Sequence, residues 1–174
     1  MKKYIGDEDT LDLFNQVIDS FQTEGKINTG LPLGNLTSQL LVNIYMNNFD
    51  QFAKRELKTK YYIRYADDFV ILHENKLQLE KIIPKISEFL ETKLKLSLHP
   101  NKVFIKTLTS GVDFLGWVNF SEHRVLRTST KRRMMKKLKK NPKPKSIASY
   151  LGLLSHGDTR KLYEEIELME KHIA

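Results

Sequence analysis

Residues 60–73 have the sequence KYYIRYADDFVILH. Two short runs of aromatic and β-branched residues, 60–65 and 69–73, flank the tripeptide Ala66-Asp67-Asp68. Runs of this kind favour strands, so the segment predicts a β-hairpin that carries two carboxylates at its tip. A hydrophobic core has no use for such a pair, and the tip is therefore a candidate functional site.

The chemistry of the pair indicates a divalent metal. Asp67 and Asp68 repel each other at short range, at a cost of about 1 kcal/mol or more unless a cation neutralises them. Mg²⁺ takes oxygen ligands and is held by one or two protein carboxylates together with substrate phosphates. The pair therefore predicts a Mg²⁺ site for phosphoryl or nucleotidyl transfer, with Mn²⁺ as a substitute ion. The alternative, for any Asp-Asp dipeptide, is a solvated turn without function.

The surrounding sequence predicts helices on both sides of the hairpin and further strands after it. Apolar residues recur at helical spacing over 9–21, with Asp9 as the cap, over about 37–57, and over 76–93, where Pro84 introduces a kink or a later start. Strands are predicted over 94–98, 103–106, 114–118 and around Val125. The predicted fold class is α+β, an antiparallel sheet backed by helices.

The sequence changes character beyond residue 129. Residues 131–140 hold seven Lys or Arg and no acidic residue, on a predicted helix that also carries Met134, Met135 and Leu138. A linker over 141–145 and two helices, over 146–151 and 159–173, are predicted to follow. We therefore expect one domain over 1–128 and a helical region over 129–174. The alternative for the basic helix is a solvated charged face.

Composition narrows the class of protein. The 174 residues carry a formal charge of +8, which suits a polyanion such as nucleic acid or an anionic membrane face. The absence of cysteine excludes disulfide frameworks and zinc fingers. No apolar run approaches the roughly 20 residues of a membrane-spanning helix, and the N-terminus lacks a secretory pattern. The expected location is cytoplasmic.

The motifs, taken in order, resemble the reverse transcriptases, which are RNA-directed DNA polymerases. The segment 30–39 opens a helix, Tyr65-Ala66-Asp67-Asp68 forms the hairpin tip, and Lys102 and Phe114-Leu115-Gly116 follow. Ala66 and the segment 43–47 are closer to the enzymes of bacterial retroelements (group II introns, retrons and diversity-generating retroelements) than to retroviral ones. The resemblance extends from about residue 7 to the region of residue 156.

The resemblance implies roles for individual residues. Asp67 would be the main metal ligand and Asp68 its auxiliary, while Lys102 would lie near the triphosphate as a cation or proton donor. For Lys102 the alternative is an exposed strand lysine. Arg64 would contact nucleic acid or brace the hairpin, and Asp113 is interpreted as a structural turn residue.

Further residues would bind nucleotide and nucleic acid. Tyr65 would lie beside the primer end, with core packing as the alternative. The nucleotide and template pocket would be lined by Gly34, Asn35, Ser38 and Gln39. The primer and its duplex would be bound by Phe114, Leu115, Gly116, Arg132, Arg133, Lys136 and Lys137.

The implied fold is part of a right-hand palm followed by a small helical thumb, which lies along the phosphate backbone of the duplex. The family's palm carries its first catalytic aspartate on a strand that precedes the helix over 9–21. By this resemblance we expect that strand and the fingers to be missing from the 174 residues, and we interpret Asp7, Asp9 and Asp12 as helix-capping residues. We expect the C-terminal portion of a reverse transcriptase, inactive by itself.

The expected function of the intact parent is RNA-directed DNA synthesis by two-metal nucleotidyl transfer. Its partners would be an RNA template, a DNA primer and deoxynucleoside triphosphates. An open sheet edge would accept the missing N-terminal segment in trans, or a second copy. Two alternatives stay open: a non-catalytic nucleic-acid-binding fragment, and a basic protein on anionic lipid, which the polar character of the basic helix disfavours.

Overall fold

The computed structural model describes residues 5–20 and 36–171, and these form an α+β fold with small antiparallel sheets. The chain divides into two units after Val103. The first unit contains α1 (Glu8–Asp19), α2 (Leu36–Gln51), β1 (Tyr61–Tyr65), β2 (Asp68–Leu72) and α3 (Lys76–Leu94). The second contains β3 (Val112–Phe114), β4 (Trp117–Asn119), β5 (Arg124–Leu126), α4 (Thr128–Lys140), α5 (Pro144–Leu154) and α6 (Arg160–Lys171). The domain boundary expected at residue 128 stays a prediction.

An aromatic cluster forms the core of the first unit. Phe49 of α2 is fully buried, and its ring centroid lies 4.8 Å from that of Phe69 on β2 and 6.0 Å from that of Tyr62 on β1. After α2 the chain continues as a π-helical turn, Phe52–Glu56, in which Phe52 stacks on Phe89 of α3 at 4.0 Å. The inner face of the two hairpin strands therefore packs against α2 and α3.

The first two helices differ in detail from the sequence prediction. Asp7, rather than Asp9, caps α1, since its carboxylate accepts a hydrogen bond from the backbone N–H of Thr10 at 2.8 Å. α1 contributes no buried residue. α2 begins at Leu36, so Thr37 and Ser38, which the sequence offers as alternative caps, lie inside the helix. Three members of its predicted apolar stripe are exposed instead: Leu40, Ile44 and Tyr45.

α3 is close to the prediction, but the strands expected after it are not. Asn75 caps α3, and the helix continues without a break through Pro84. It extends to Leu94, where Lys95 with a φ of 52° ends it, so the strand expected over 94–98 is wrong. The strand expected over 103–106 is also wrong, because that segment is irregular. Neither segment has a partner strand in the described part of the chain.

The second unit packs a three-stranded sheet, in the order β3-β4-β5, against three helices. The segment 114–118, expected as one strand, turns at Leu115 and Gly116 and forms parts of β3 and β4. Pro144 is the first residue of α5, which shortens the expected linker to 141–143. The core of the unit is formed by Trp117, Leu126, Met134, Leu138, Ile147, Leu154, Leu162 and Ile166.

None of the helices in the described ranges combines the length and the apolar character needed to cross a lipid bilayer.

Candidate functional site

The hairpin tip is a two-residue turn. β1 and β2 pair from Tyr61 with Leu72 to Tyr65 with Asp68, so the turn consists of Ala66 and Asp67. Asp68 is therefore the first residue of β2. The prediction that both carboxylates lie at the tip is wrong for Asp68. Both carboxylates are exposed to solvent. They are available to a ligand from outside the hairpin.

The turn has an unusual backbone for its sequence. Ala66 has a φ of 52°, a positive value at the first central position that is typical of type II′ turns and is usually taken by glycine. A left-handed conformation costs a residue with a Cβ about 1–2 kcal/mol. Arg64 Nη1 donates a hydrogen bond of 2.7 Å to the carbonyl oxygen of Ala66, which stabilises this conformation next to Asp67.

Arg64 connects the turn to α2. Its Nε and Nη2 donate to the two carboxylate oxygens of Asp50 at 2.7 and 2.6 Å, and its Nη1 also donates to Asn43 Oδ1 at 3.1 Å. The hydroxyl of Tyr62 donates to Asp50 Oδ1 at 2.6 Å. The Arg64 side chain is 9% exposed. Of the two roles predicted for Arg64, the structure supports the bracing of the hairpin.

The charges in this cluster are fixed by their neighbours. Hydrogen bonds from Arg64 hold the pKa of Asp50 below its ordinary value, although partial burial opposes them. The same hydrogen bonds raise the pKa of Arg64, and burial, followed by the hydrogen bond to Asp50, raises the pKa of Tyr62. Asp50 is thus ionised and Tyr62 neutral throughout the ordinary pH range. The charges of the cluster therefore stay the same over this pH range while it stabilises the turn.

Sequence reasoning missed this cluster, although one signal was present. Asn43 and Asp50 are seven residues apart on α2, which places them two turns apart on one face of the helix. Arg64 and Tyr62 occupy alternate positions of β1 and so share its inner face. A charged residue in an otherwise aromatic strand and the spacing on α2 were compatible with an ion pair. The sequence did not show which helix would supply the acidic partner of Arg64.

The outer face of β1 is open. Tyr65 is 56% exposed, and Tyr61 and Ile63 on the same face are also exposed. Core packing, the alternative interpretation for Tyr65, is therefore wrong. An aromatic ring is presented to solvent next to the turn that carries the carboxylates.

The remaining candidates of the first unit are Gly34, Asn35, Ser38, Gln39 and Lys102. Gly34 and Asn35 lie outside the described residues. Ser38 is buried and Gln39 exposed in the first turns of α2. Lys102 is exposed in a turn closed by its own N–H and the carbonyl oxygen of His99 at 2.9 Å. In the described part of the chain, no ion pair joins Lys102 to Asp67 or Asp68.

In the second unit, Phe114-Leu115-Gly116 lies at a tight turn between β3 and β4. Leu115 and Gly116 both have positive φ, 53° and 84°, which is the type I′ pattern of two-residue hairpins. Leu115 is exposed at the turn. Arg127 Nε donates to Asp113 Oδ1 at 2.8 Å, an ion pair within the second unit that supports the structural interpretation of Asp113.

α4 presents its cations to solvent. Met134 and Leu138 on one face are buried, while all seven Lys and Arg side chains over 131–140 are exposed. The four predicted duplex-binding residues on this helix are therefore accessible: Arg132, Arg133, Lys136 and Lys137. Across residues 5–20 and 36–171 no ion pair neutralises them.

The hairpin offers ligands of the type that Mg²⁺ prefers, but it offers few of them. Asp67 and Asp68 offer carboxylate oxygens, the ligands that Mg²⁺ prefers. Among the described residues, no three His, Asp or Glu side chains lie close enough together to hold a metal ion. The hairpin can thus contribute the carboxylates of Asp67 and Asp68 to a metal site, with further ligands from substrate phosphates or water.

The chain is similar in sequence to known proteins. Residues 2–119 match the family described as reverse transcriptase (RNA-dependent DNA polymerase), a range that includes the hairpin and the β3–β4 turn. The chain is also similar to Protein YkfC of Escherichia coli (strain K12), with 31% identity over 160 residues. That match covers 72% of this chain and 40% of the relative. The chain therefore spans less than half the length of this relative.

Proposed function

Because the chain belongs to the reverse transcriptase family, we propose that its hairpin supplies two carboxylates to a nucleotidyl-transfer site for RNA-directed DNA synthesis. The observation that carries this proposal is the exposed turn at Asp67, which is held by Arg64 within the region that matches the family. Asp67 and Asp68 would hold Mg²⁺ or Mn²⁺. The chemistry supplied by the bound metal is activation of the primer hydroxyl and neutralisation of charge on the phosphates.

The other residues of the site are proposed to position substrates. Tyr65 offers an exposed ring beside the turn, suited to contact with the primer end. The accessible ammonium group of Lys102 would neutralise the triphosphate or protonate the leaving pyrophosphate. The proposed nucleotide and template contacts are Gly34, Asn35, Ser38 and Gln39. The proposed primer contacts in the second unit are Phe114, Leu115 and Gly116.

We propose that the retroelement type is bacterial, and that the partners are an RNA template, a DNA primer and deoxynucleoside triphosphates. The described residues bring only two carboxylates together, so the 174 residues are not expected to extend a primer by themselves. Within the described part, β1 and β2 pair only with each other, which leaves edges for a strand supplied in trans or by a second copy. The same shortage of carboxylates favours a second candidate function, nucleic-acid binding without catalysis.

The metal site can be tested directly. We expect Mn²⁺ to broaden NMR signals selectively around residues 65–69, with weak affinity because only two carboxylates are available. Asp67→Asn should remove most of this broadening. Asp9→Asn, on exposed α1, is the matched control and should leave it unchanged. Broadening centred elsewhere in the wild-type protein would contradict the site.

α4 can be tested through the salt dependence of binding. Exposed, unneutralised cations gain affinity for phosphates by releasing counterions. In fluorescence anisotropy with an RNA/DNA hybrid, Lys136→Ala with Lys137→Ala should reduce the slope of log affinity against log salt by about 2, at roughly 0.9 per contact. Lys93→Ala with Lys161→Ala removes the same charge from exposed positions of other helices. Equal effects of the two double variants would contradict a specific role for α4.

A further inference from the structure

A second basic feature lies at the other end of the hairpin. A groove of about 200 Å³ is bordered by the segment 56–59, the end of β2 at 71–73 and the early turns of α3. The strand register places it beside the pair Tyr61–Leu72, whereas the turn that carries Asp67 follows the pair Tyr65–Asp68. Four residue steps of a strand separate these pairs by about 13 Å. The groove is therefore distinct from the carboxylate tip.

The lining of this groove is positively charged. Lys58, Lys81 and Lys85 line it, with His73, and Glu56 is the only acidic residue of the lining. Lys81 and Lys85 are four residues apart on α3 and so share one face of the helix. All three lysines are exposed, and no hydrogen bond or ion pair within the described ranges engages them. Their charge is free to act on a ligand.

The chain that leads into the groove adds to the charge. Residues 54–60 contain four cations and a single acid, Glu56. The first unit is thus polarised along the hairpin, with carboxylates at the turn and cations at the open end. Like charges around a concave surface focus the electrostatic potential and attract anionic ligands.

We propose that the groove formed by Lys58, Lys81 and Lys85 binds the phosphate backbone of a single-stranded nucleic acid. The lining also includes the exposed polar side chain of Gln78 and the buried Thr59, whose hydroxyl donates to the carbonyl oxygen of Ala53 at 2.7 Å. An anionic membrane is a poorer partner, because lipid binding requires an extended apolar face beside the cations. The only exposed large apolar residue of the lining is Leu72. This site goes beyond the proposed function, since it requires neither a metal nor α4.

The test is the binding of a fluorescein-labelled oligo(U) RNA to the full chain at several salt concentrations. Lys58→Gln, Lys81→Gln and Lys85→Gln together should reduce the slope of log affinity against log salt by about 2, at roughly 0.7 per contact for a single strand. The control replaces Lys93, Lys145 and Lys161 by Gln, which removes three exposed charges outside the groove. The reduction should persist when Lys136 and Lys137 are also replaced. Equal slopes for the groove and control variants would overturn the proposal.

A second measurement does not depend on the variants. Oligo(U) RNA added to the wild-type protein should shift the backbone amide signals of Thr59 and Gln78, and their failure to shift would overturn the site. The groove variant is also compared with wild type on phosphatidylserine vesicles. Loss of vesicle binding together with unchanged RNA binding would overturn the proposal in favour of a membrane surface.

Discussion

Arg64→Ala is expected to lower the free energy of unfolding by about 2 to 3 kcal/mol. The substitution removes a bidentate ion pair with Asp50 and leaves that carboxylate without its main partner. Breaking a buried pair typically costs 3–5 kcal/mol, and the expected value is smaller because the Asp50 side chain is 28% exposed. It also removes the hydrogen bond that stabilises the positive φ of Ala66.

Chemical denaturation followed by circular dichroism measures this loss, and its pH dependence identifies the cause. Because Arg64 lowers the pKa of Asp50, the pair stabilises the fold fully above the unfolded-state pKa near 4. This contribution is lost as pH falls through the lower pKa of the folded state. We therefore expect the difference between wild type and Arg64→Ala to shrink below about pH 4.

Two further variants separate the ion pair from a general loss of arginine. Arg55→Ala removes an exposed guanidinium from the neighbouring π-helical turn and should change stability by less than about 0.5 kcal/mol. Asp50→Asn should weaken the fold, and Arg64→Ala should then cost less in its presence. Additive effects of the two substitutions would show that the pair does not stabilise the hairpin.

Arg64→Ala is also expected to weaken metal binding at the proposed site. Arg64 holds the carbonyl of Ala66, and Asp67 is the next residue of the turn. Arg64→Ala should therefore weaken Mn²⁺ broadening around the turn even under conditions where the protein stays folded. Asp67 and Asp68 are still present in that variant, so such a loss would be one of position and not of ligand identity.

Local patterns predicted the hairpin and α3 well, because their signals are contained in short segments. Runs of aromatic and β-branched residues predicted the two strands, and apolar residues at helical spacing predicted α3 over 76–93. The predicted turn was one residue too long, because it included Asp68. Strand register depends on the turn geometry, and an alanine gives no sequence signal for the positive φ at Ala66. The sequence therefore predicted the carboxylates but not that Asp68 lies on β2.

Non-local pairing could not be predicted in the same way. The apolar residues over 94–98 and 103–106 suit a strand, yet a strand needs a partner, and none pairs with them in the described part of the chain. The Asp50–Arg64 pair similarly required knowledge of which face of α2 meets β1. The groove at Lys58 joins three separate segments, and no local motif indicated it.

Gly157→Ala is expected to destabilise the second unit by about 3 kcal/mol, through overpacking against a rigid wall. A Cβ at this position would collide with the ring of Trp117 and lie 2.9 Å from the carbonyl oxygen of Arg124. The ring has little room to move, because it is buried in the core and the Arg124 guanidinium lies over it at 5.0 Å. The backbone is fixed as well, since the N–H of Asp158 donates to the Arg124 carbonyl at 2.8 Å.

Trp117 is the only tryptophan of the chain, so its fluorescence reports unfolding of this core directly. Gly152→Ala is the matched control, because no atom lies within 4 Å of a Cβ there and alanine favours the interior of α5 by up to about 1 kcal/mol. The two substitutions should thus change stability in opposite directions. Met134 and Leu138 of α4 belong to the same core, so Gly157→Ala should also weaken hybrid binding near its melting temperature. If the Gly157→Ala protein were as stable as wild type, the Trp117 ring would be able to move away from the added Cβ. The overpacking argument would then be wrong.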